Sequence, residues 1–225
     1  MKLFIDSADT VEIKRCLRAA PFNSISGITT NPTLVRKSGS NALKEILSGG
    51  QQDISIEIVG ETVDDYLQAA GKLLKSYEDL SVICNPTEQI TIKVPCTMPA
   101  LKACSAITEE CGVRVNVTLV FNVEQAIMAT LAGATYISPF IGRMEDAGLD
   151  GIQLIKDISD VYDQNLGNTQ ILAASIRNTA QVGKAFAAGA DIVTVPPNIF
   201  LELANDPLTT AGIAKFNEDN EATSD

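Results

Sequence analysis

Histidine and tryptophan are both absent from the 225 residues of this chain. Without an imidazole, the chain cannot use catalytic triads that need a histidine base, and it lacks the ligand found in most zinc and iron sites. We therefore expect no metal site. Any acid–base chemistry must use carboxylates, lysine, tyrosine or water.

Long apolar runs and an excess of basic residues are also missing. No stretch of about eighteen apolar residues occurs, and the start, MKLFIDSADT, is polar within six residues, so we expect neither a membrane span nor a secretion signal. The net charge of -11 argues against nucleic-acid binding, although a small anion would need only a few local cations. The five cysteines form no C-x-x-C pair, which is typical of reduced thiols in a cytosolic protein.

Short segments rich in β-branched residues recur along the chain, at residues 2–6, 24–31, 53–59, 89–95, 113–120, 134–140, 170–176 and 191–196. Patterns typical of helices lie between them, beginning at Asp9 and covering 69–74, 97–110, 122–132, 149–163 and 178–188. Eight strand–helix units predict an α/β protein that is a single (β/α)₈ TIM barrel over residues 1–217. A doubly wound sheet usually has a glycine-rich first turn, which IDSADT is not.

The C-terminus adds an extension to this barrel. Asp206-Pro207 provides a cap and an N1 proline for a last helix that we expect to end near Phe216. Residues 218–225 are acidic and poor in apolar side chains, so we predict a disordered tail.

The alternation of side chains within the strands indicates which residues face the barrel interior. In 89–95, Ile90, Ile92 and Val94 form one apolar face, and Lys93 lies on the other. The outer face of a barrel packs on helices and must be apolar, so the polar face points inward. The same reasoning turns further residues inward, near the strand ends where barrel active sites lie: Asp6, Thr29, Asn31, Ser55, Glu57, Arg114, Asn116, Thr118, Ser138, Phe140, Ser175 and Arg177.

A lysine in the barrel interior is either one partner of a structural ion pair or a reactive amine. Burial favours the neutral amine, which can attack a carbonyl carbon to form a Schiff base. The resulting iminium is an electron sink that lets a neighbouring carbon–carbon bond break. Glu57 could move protons through a water held by Thr118, and Asp6 could accept a proton from a substrate hydroxyl.

Two arginines suggest where an anionic group would bind. Arg143 follows the sixth strand, and Arg177 ends the seventh beside Ser175, just before a helix that begins at Asn178-Thr179. Guanidinium groups, a hydroxyl and a helix N-terminus together suit a phosphate. The alternative is that both arginines are solvated surface side chains that bind no phosphate.

Five segments resemble signatures of the transaldolase family, in order along nearly the whole chain: ITTNPT (28–33), TIKVP (91–95), NVTLVF (116–121), ISPFIGR (137–143) and AASIRN (173–178). The resemblance is to the small microbial subfamily that also contains fructose-6-phosphate aldolases. It implies that Lys93 forms the Schiff base and that Asp6, Glu57 and Thr118 are acid–base and water-positioning groups. It also implies substrate contacts: Thr29, Asn31, Asn116 and Ser138 for dihydroxyacetone, and Arg143, Ser175 and Arg177 for phosphate.

The implied reaction moves a dihydroxyacetone unit from sedoheptulose 7-phosphate or fructose 6-phosphate to glyceraldehyde 3-phosphate or erythrose 4-phosphate. The resemblance further implies the pentose phosphate pathway, a cytoplasmic location, no cofactor, and a homo-oligomer, either a decamer or a pentamer. Glu57 and Phe140 stand where the subfamily's aldolases have glutamine and tyrosine, which favours transaldolase. Ile176 departs from the usual aromatic residue. The alternatives are an aldolase that releases free dihydroxyacetone and a non-catalytic barrel that binds sugar phosphates.

Overall fold

The computed structural model describes residues 1–21, 24–49, 53–78, 89–165 and 168–222. Within these ranges, eight parallel strands pair in sequence order and close into a barrel, so the predicted (β/α)₈ TIM barrel is confirmed. The strands are β1 (Lys2–Asp6), β2 (Ile25–Thr29), β3 (Ile54–Glu57), β4 (Ile90–Pro95), β5 (Arg114–Val120), β6 (Tyr136–Pro139), β7 (Gln170–Ala173) and β8 (Ile192–Val195).

Helices surround the strands. In the described part of the chain they are α1 (Thr10–Ala19), α2 (Pro32–Ser38), α3 (Ala42–Ser48), α4 (Val63–Glu78), α5 (Met98–Cys111), α6 (Val123–Leu131), α7 (Ile141–Asp146), α8 (Gly151–Asn165), α9 (Thr179–Ala187), α10 (Pro197–Glu202) and α11 (Pro207–Ala222). The short helices α2, α3, α7 and α10 were not predicted, because six or seven residues hold too little periodicity to indicate a helix.

The predicted alternation of inward and outward side chains corresponds to two hydrophobic clusters, one between the strands and the helices and one inside the barrel. Outward residues of β4, such as Ile90 and Ile92, are fully buried and belong to a large cluster that includes Ala103 and Ile107 of α5. A smaller cluster fills the barrel interior, formed by Phe4, Tyr136, Leu172, Ala174 and Ile192. The Phe4 and Tyr136 rings meet edge to face with centroids 6.3 Å apart. The interior is therefore packed below the polar residues of the site.

Five predicted strands extend past the observed C-terminal ends, and three of these extensions contain predicted site residues. β2 ends at Thr29, and Asn31 is the N-cap of α2, where its side chain accepts a hydrogen bond from the backbone N–H of Leu34. β6 ends at Pro139, and Phe140 precedes α7. β7 ends at Ala173, which leaves Ser175 and Arg177 in the connection to α9. Alternation therefore does not explain the orientation of these last side chains.

A bulge also interrupts β5. The register with β6 shifts between Thr118 and Val120, and the extra residue, Leu119, has a φ of 58°. A branched residue with this backbone conformation is a marked outlier, as expected at a bulge. Leu119, which the alternation assigns to the outward apolar face, is only partly buried.

The C-terminal helix is longer than predicted. α11 continues to Ala222, so residues 218–222 are helical, and the predicted disordered tail is wrong for them. An ion pair between Lys215 and Asp219, four residues apart, spans the predicted helix end and supports its continuation. The remaining residues, 223–225, lie outside the described ranges. Among the helices of those ranges, none combines the length and the apolar character that crossing a membrane would require.

Candidate active site

A pocket of about 140 Å³ opens at the C-terminal ends of the strands, where active sites of TIM barrels lie. Most of the predicted site residues line it. The lining consists of Asp6, Thr29, Asn31, Lys93, Ser138, Phe140, Arg143, Ala174, Ser175, Arg177 and Thr194. The predicted residues outside this lining are Glu57, Asn116 and Thr118, and each is placed next to it by the strand register described below.

Lys93 lies at the base of the pocket and is 3% exposed. The register of β3 and β4 sets Glu57 beside it, and the Glu57 Oε2 atom is 3.4 Å from the Lys93 Nζ atom. The amine also donates a hydrogen bond to the backbone oxygen of Thr30 at 3.2 Å. The amine is thus held from two sides, within reach of a group that can accept its proton.

Asp6 ends β1 and faces the same pocket. Its carboxylate accepts a hydrogen bond from the Thr29 hydroxyl at 2.8 Å, and that hydroxyl lies 2.7 Å from the hydroxyl of Thr194. Burial raises the pKa of Asp6, although the charge of Lys93, the Thr29 hydrogen bond and the charge of Arg177 act in the opposite direction. Asp6 is therefore an acid whose proton affinity is increased by its position, which suits a group that must take up and return a proton.

Polar side chains of β3, β5 and β6 form a chain of hydrogen bonds beside Lys93. The Ser138 hydroxyl donates to Asn116 Oδ1 at 2.7 Å, and the Asn116 amide donates to Ser55 Oγ at 3.2 Å. Asn116 pairs with Lys93 in the β4–β5 register, and Thr118 stands two residues further towards the strand ends. The Thr118 hydroxyl is buried and has no hydrogen-bond partner among the described residues. It can accordingly bind a water or a substrate group.

The other end of the pocket carries the two arginines. The Arg143 guanidinium lies over the Phe140 ring, 4.9 Å from its centroid, and Lys93 Nζ is 5.8 Å from the same centroid. Arg177 forms a half-exposed ion pair with Asp146 at 3.0 Å. The Phe140 ring is therefore near both the amine and the Arg143 guanidinium, and a pocket that holds an amine and two arginines fits a substrate with a carbonyl and an anionic group.

Ser175 has an unusual backbone at this end of the pocket. Its φ is 63°, a left-handed conformation that costs energy for a residue other than glycine. Its carbonyl oxygen accepts a hydrogen bond from the Gly142 N–H at 3.0 Å, and a Cβ atom on residue 142 would overlap that oxygen. Gly142 is therefore required for the close approach of the Arg143 and Arg177 segments.

Arg114, also predicted to face inward, belongs to a different site. At the N-terminal ends of the strands, Asp53 accepts hydrogen bonds from Thr91 at 2.9 Å, Arg114 at 3.1 Å and Tyr136 at 2.6 Å. Burial, followed by the Asp53 charge, raises the pKa of Tyr136. This end of a TIM barrel serves stability rather than chemistry, so we regard the Asp53 cluster as structural.

Sequence reasoning did not identify Thr194, Asp146 or Gln181. Thr194 lies between Val193 and Val195, so the alternation used for the other strands would have found it. Asp146 and Gln181 lie on helices that contact the arginine segments, and no local pattern indicates them. Of the five cysteines, Cys16, Cys96, Cys104 and Cys111 are free, and Cys84 lies outside the described residues. The described ranges contain no group of three or more cysteine and acidic side chains that could hold a metal ion.

The fold and the pocket define a TIM-barrel protein with a buried lysine–carboxylate pair and arginines at the same pocket. The model of the transaldolase/fructose-6-phosphate aldolase family matches residues 3–225, and the chain belongs to this family. It is 41% identical to a probable transaldolase of Symbiobacterium thermophilum, over 99% of this chain and 98% of that protein. It is 44% identical to a probable transaldolase of Cereibacter sphaeroides, over 97% and 95% of the two chains.

Solved structures support the fold at lower similarity. A crystal structure of mandelate oxidase with benzoyl-formic acid matches with a TM-score of 0.59 and 18% sequence identity. The match covers 91% of this chain and 67% of the oxidase. At this identity the likeness concerns the barrel alone, because one barrel supports many unrelated activities.

Proposed function

We propose that this protein is a transaldolase that transfers a dihydroxyacetone unit between sugar phosphates through a Schiff base on Lys93. The observation that carries the proposal is the Lys93 amine, which is 3% exposed, 3.4 Å from Glu57, and in one pocket with two arginines. A purely structural ion pair would need neither the open pocket nor the arginines. Family membership supports the same reaction class.

In the first step, Glu57 accepts a proton from the Lys93 ammonium group, and the neutral amine attacks the carbonyl carbon of the ketose phosphate. The carbinolamine that forms must lose water to become an iminium. A water bound to Thr118 and Glu57 would carry the proton to the departing hydroxyl. The unpartnered Thr118 hydroxyl supports this role.

In the second step, Asp6 takes the proton from the hydroxyl on the carbon beyond the bond that breaks. The carbon–carbon bond cleaves, an aldose phosphate leaves, and the bonding electrons pass to the iminium, giving an enamine on Lys93. The enamine carbon then attacks the acceptor aldehyde, Asp6 returns its proton to the new hydroxyl, and hydrolysis frees Lys93. The raised pKa of Asp6 supports this reversible role.

Phe140 favours transfer over release of free dihydroxyacetone. Its ring is near both Lys93 and Arg143 and packs edge to face on Phe121, with centroids 6.1 Å apart. An apolar ring beside the enamine excludes water and provides no hydroxyl to direct a proton to it. Sedoheptulose 7-phosphate or fructose 6-phosphate would be the donor, and glyceraldehyde 3-phosphate or erythrose 4-phosphate the acceptor, as in the cytoplasmic pentose phosphate pathway.

Trapping the Schiff base tests the proposal. Borohydride added with fructose 6-phosphate should reduce the iminium and leave one dihydroxyacetone-derived adduct on Lys93, identified by peptide mass spectrometry. Lys93→Ala should give no adduct and no transfer, with an unchanged circular dichroism spectrum. Lys102 on α5 is a suitable control, since Lys102→Ala should still be trapped. An adduct on another lysine, or no adduct in an active preparation, refutes the assignment.

We also propose that the protein is a homo-oligomer, a decamer or a pentamer, in which α11 packs on a neighbouring subunit. Within the described chain this helix has no buried residue, and it exposes Leu208, Ile213 and Phe216. Large apolar side chains on one helix usually mark a contact surface. Light scattering during size-exclusion chromatography should give the mass of five or ten subunits, and Phe216→Glu should reduce it. A monomeric native protein contradicts the proposal.

A further inference from the structure

We propose that Gln181 is a positioning residue for the two arginines, and that it thereby sets the affinity of the site for a phosphorylated substrate. The inference rests on the proposed function, because it assumes that Arg143 and Arg177 bind phosphate. It concerns a residue outside the pocket lining, on α9, whose side chain is only 3% exposed.

Gln181 connects the two segments that carry the arginines. Its side-chain oxygen accepts a hydrogen bond from the backbone N–H of Arg177 at 2.6 Å. Its side-chain amide donates to the Glu145 carboxylate at 2.6 Å, and Glu145 is on α7, two residues after Arg143. One buried amide therefore links the Arg177 backbone to the helix that bears Arg143.

The other contacts between these segments do not replace this link. The backbone N–H groups of Ile141 and Gly142 donate to Ala174 and Ser175, which fixes only the first turn of α7. At the far end of α7, the Arg177–Asp146 ion pair has both side chains more than half exposed, and such pairs contribute little to holding a structure. A phosphate would also compete with Asp146 for Arg177. The Gln181–Glu145 hydrogen bond is partly buried, because Gln181 is buried although Glu145 is exposed, and a bound phosphate would not compete for it.

The sequence offers a matched comparison. After β5, Asn122 caps α6, and Gln125 accepts a hydrogen bond from the backbone N–H of Phe121 at 2.8 Å. Asn178, Gln181 and Arg177 have the same arrangement at the start of α9. Both glutamines thus perform the same helix-capping task, and the contact with Glu145 distinguishes Gln181. Gln125→Glu therefore controls for replacing the amide by a carboxylate at this capping position alone.

The test exchanges the hydrogen-bond donor of Gln181 with the acceptor of Glu145. Gln181→Glu keeps the oxygen that accepts from Arg177 but sets two carboxylates against each other. In the double variant, which combines Gln181→Glu with Glu145→Gln, the hydrogen bond forms again with donor and acceptor exchanged. The total charge is unchanged. Glu145→Gln alone should matter little, because an amide oxygen can still accept from Gln181.

The measurements are the KM for glyceraldehyde 3-phosphate, the inhibition constant of inorganic phosphate, and kcat with unphosphorylated glyceraldehyde. Gln181→Glu should raise the first two by about tenfold, and the double variant should recover most of this loss. Because Gln181 touches neither the amine nor the reacting carbons, kcat with glyceraldehyde should stay within about twofold. Gln125→Glu should leave the phosphate constants unchanged. Thermal unfolding of each variant confirms folding.

If Gln181→Glu does not fold, Glu145→Ala removes the same contact and should raise the same two constants. The inference is overturned if folded Gln181→Glu, or Glu145→Ala in its place, binds phosphate as the native protein does, or if the double variant shows no recovery relative to Gln181→Glu. These outcomes leave the proposed function standing, provided that the native protein prefers phosphorylated acceptors. A native protein without that preference and without a trapped Lys93 adduct refutes both proposals.

Discussion

Replacing Glu57 with glutamine should slow the reaction far more than it weakens substrate binding. Glutamine has the shape of glutamate and can still contact Lys93 across the 3.4 Å gap, but it cannot accept a proton. Acid–base help of this kind typically contributes about 10²–10⁴-fold, which corresponds to roughly 3–5 kcal/mol of the activation barrier. The arginines at the other end of the pocket are untouched, so KM should change by less than about threefold.

The assay measures kcat for transfer from fructose 6-phosphate to erythrose 4-phosphate, together with the rate at which borohydride traps the enzyme. Both should fall in Glu57→Gln, because iminium formation needs the proton transfers assigned to Glu57. Thr118→Val, which removes the hydroxyl at nearly constant volume, should also lower kcat. Glu61→Gln changes an exposed carboxylate in the same β3–α4 connection and is the control. A decrease of less than about tenfold for Glu57→Gln would refute its role and shift the proton transfers to Asp6.

Five further substitutions test the remaining assignments. Phe140→Tyr should increase release of free dihydroxyacetone from fructose 6-phosphate and decrease transfer; a native enzyme that releases it as fast as it transfers would contradict our use of this residue. Arg143→Ala and Arg177→Ala should each cost about 2–3 kcal/mol in kcat/KM for phosphorylated acceptors, whereas equal losses with glyceraldehyde would make them structural. Asp6→Asn should abolish transfer yet raise Tm at pH 7. Because burial raises the pKa of Asp6 in the folded protein, the protonated carboxyl favours folding below its usual pKa of 3.8, and this contribution is lost as the pH rises through the raised pKa. Asparagine stays neutral, so the increase in Tm should be present at pH 7 and should disappear in acid. Asp53→Ala should lower the free energy of unfolding by roughly 3 kcal/mol, or about 6–12 °C in Tm, because it leaves buried donors unpaired. KM should not change, since Asp53 lies at the N-terminal ends of the strands and the pocket lies at their C-terminal ends.

Several site residues could be identified from the sequence because their strands alternate strictly. Lys93 and Glu57 face inward by the two-residue period of β4 and β3, and the closed barrel then brings them to the same level. The same alternation finds Asn116 and Thr118 up to the bulge at Leu119. Where a strand is regular, its local pattern determines which way a side chain points.

The arginine end of the pocket could be predicted only in part. Arg143 and Arg177 were identified as cations near strand ends, but they lie in a helix and a connection whose paths depend on distant contacts. The left-handed backbone of Ser175 and the close approach of Gly142 arise from packing between two β/α units. No period in the sequence encodes such contacts.

The sequence by itself determined the barrel, its order of strands and the inward position of Lys93, since these follow from periodic patterns within short segments. The tertiary structure alone decided which partners those residues meet. It joined Asp53 to Thr91 and Tyr136 at the N-terminal ends of the strands, and Gln181 to Glu145 near the pocket at the C-terminal ends. These contacts join residues 36 to 83 positions apart, and their formation depends on the folding of the whole barrel.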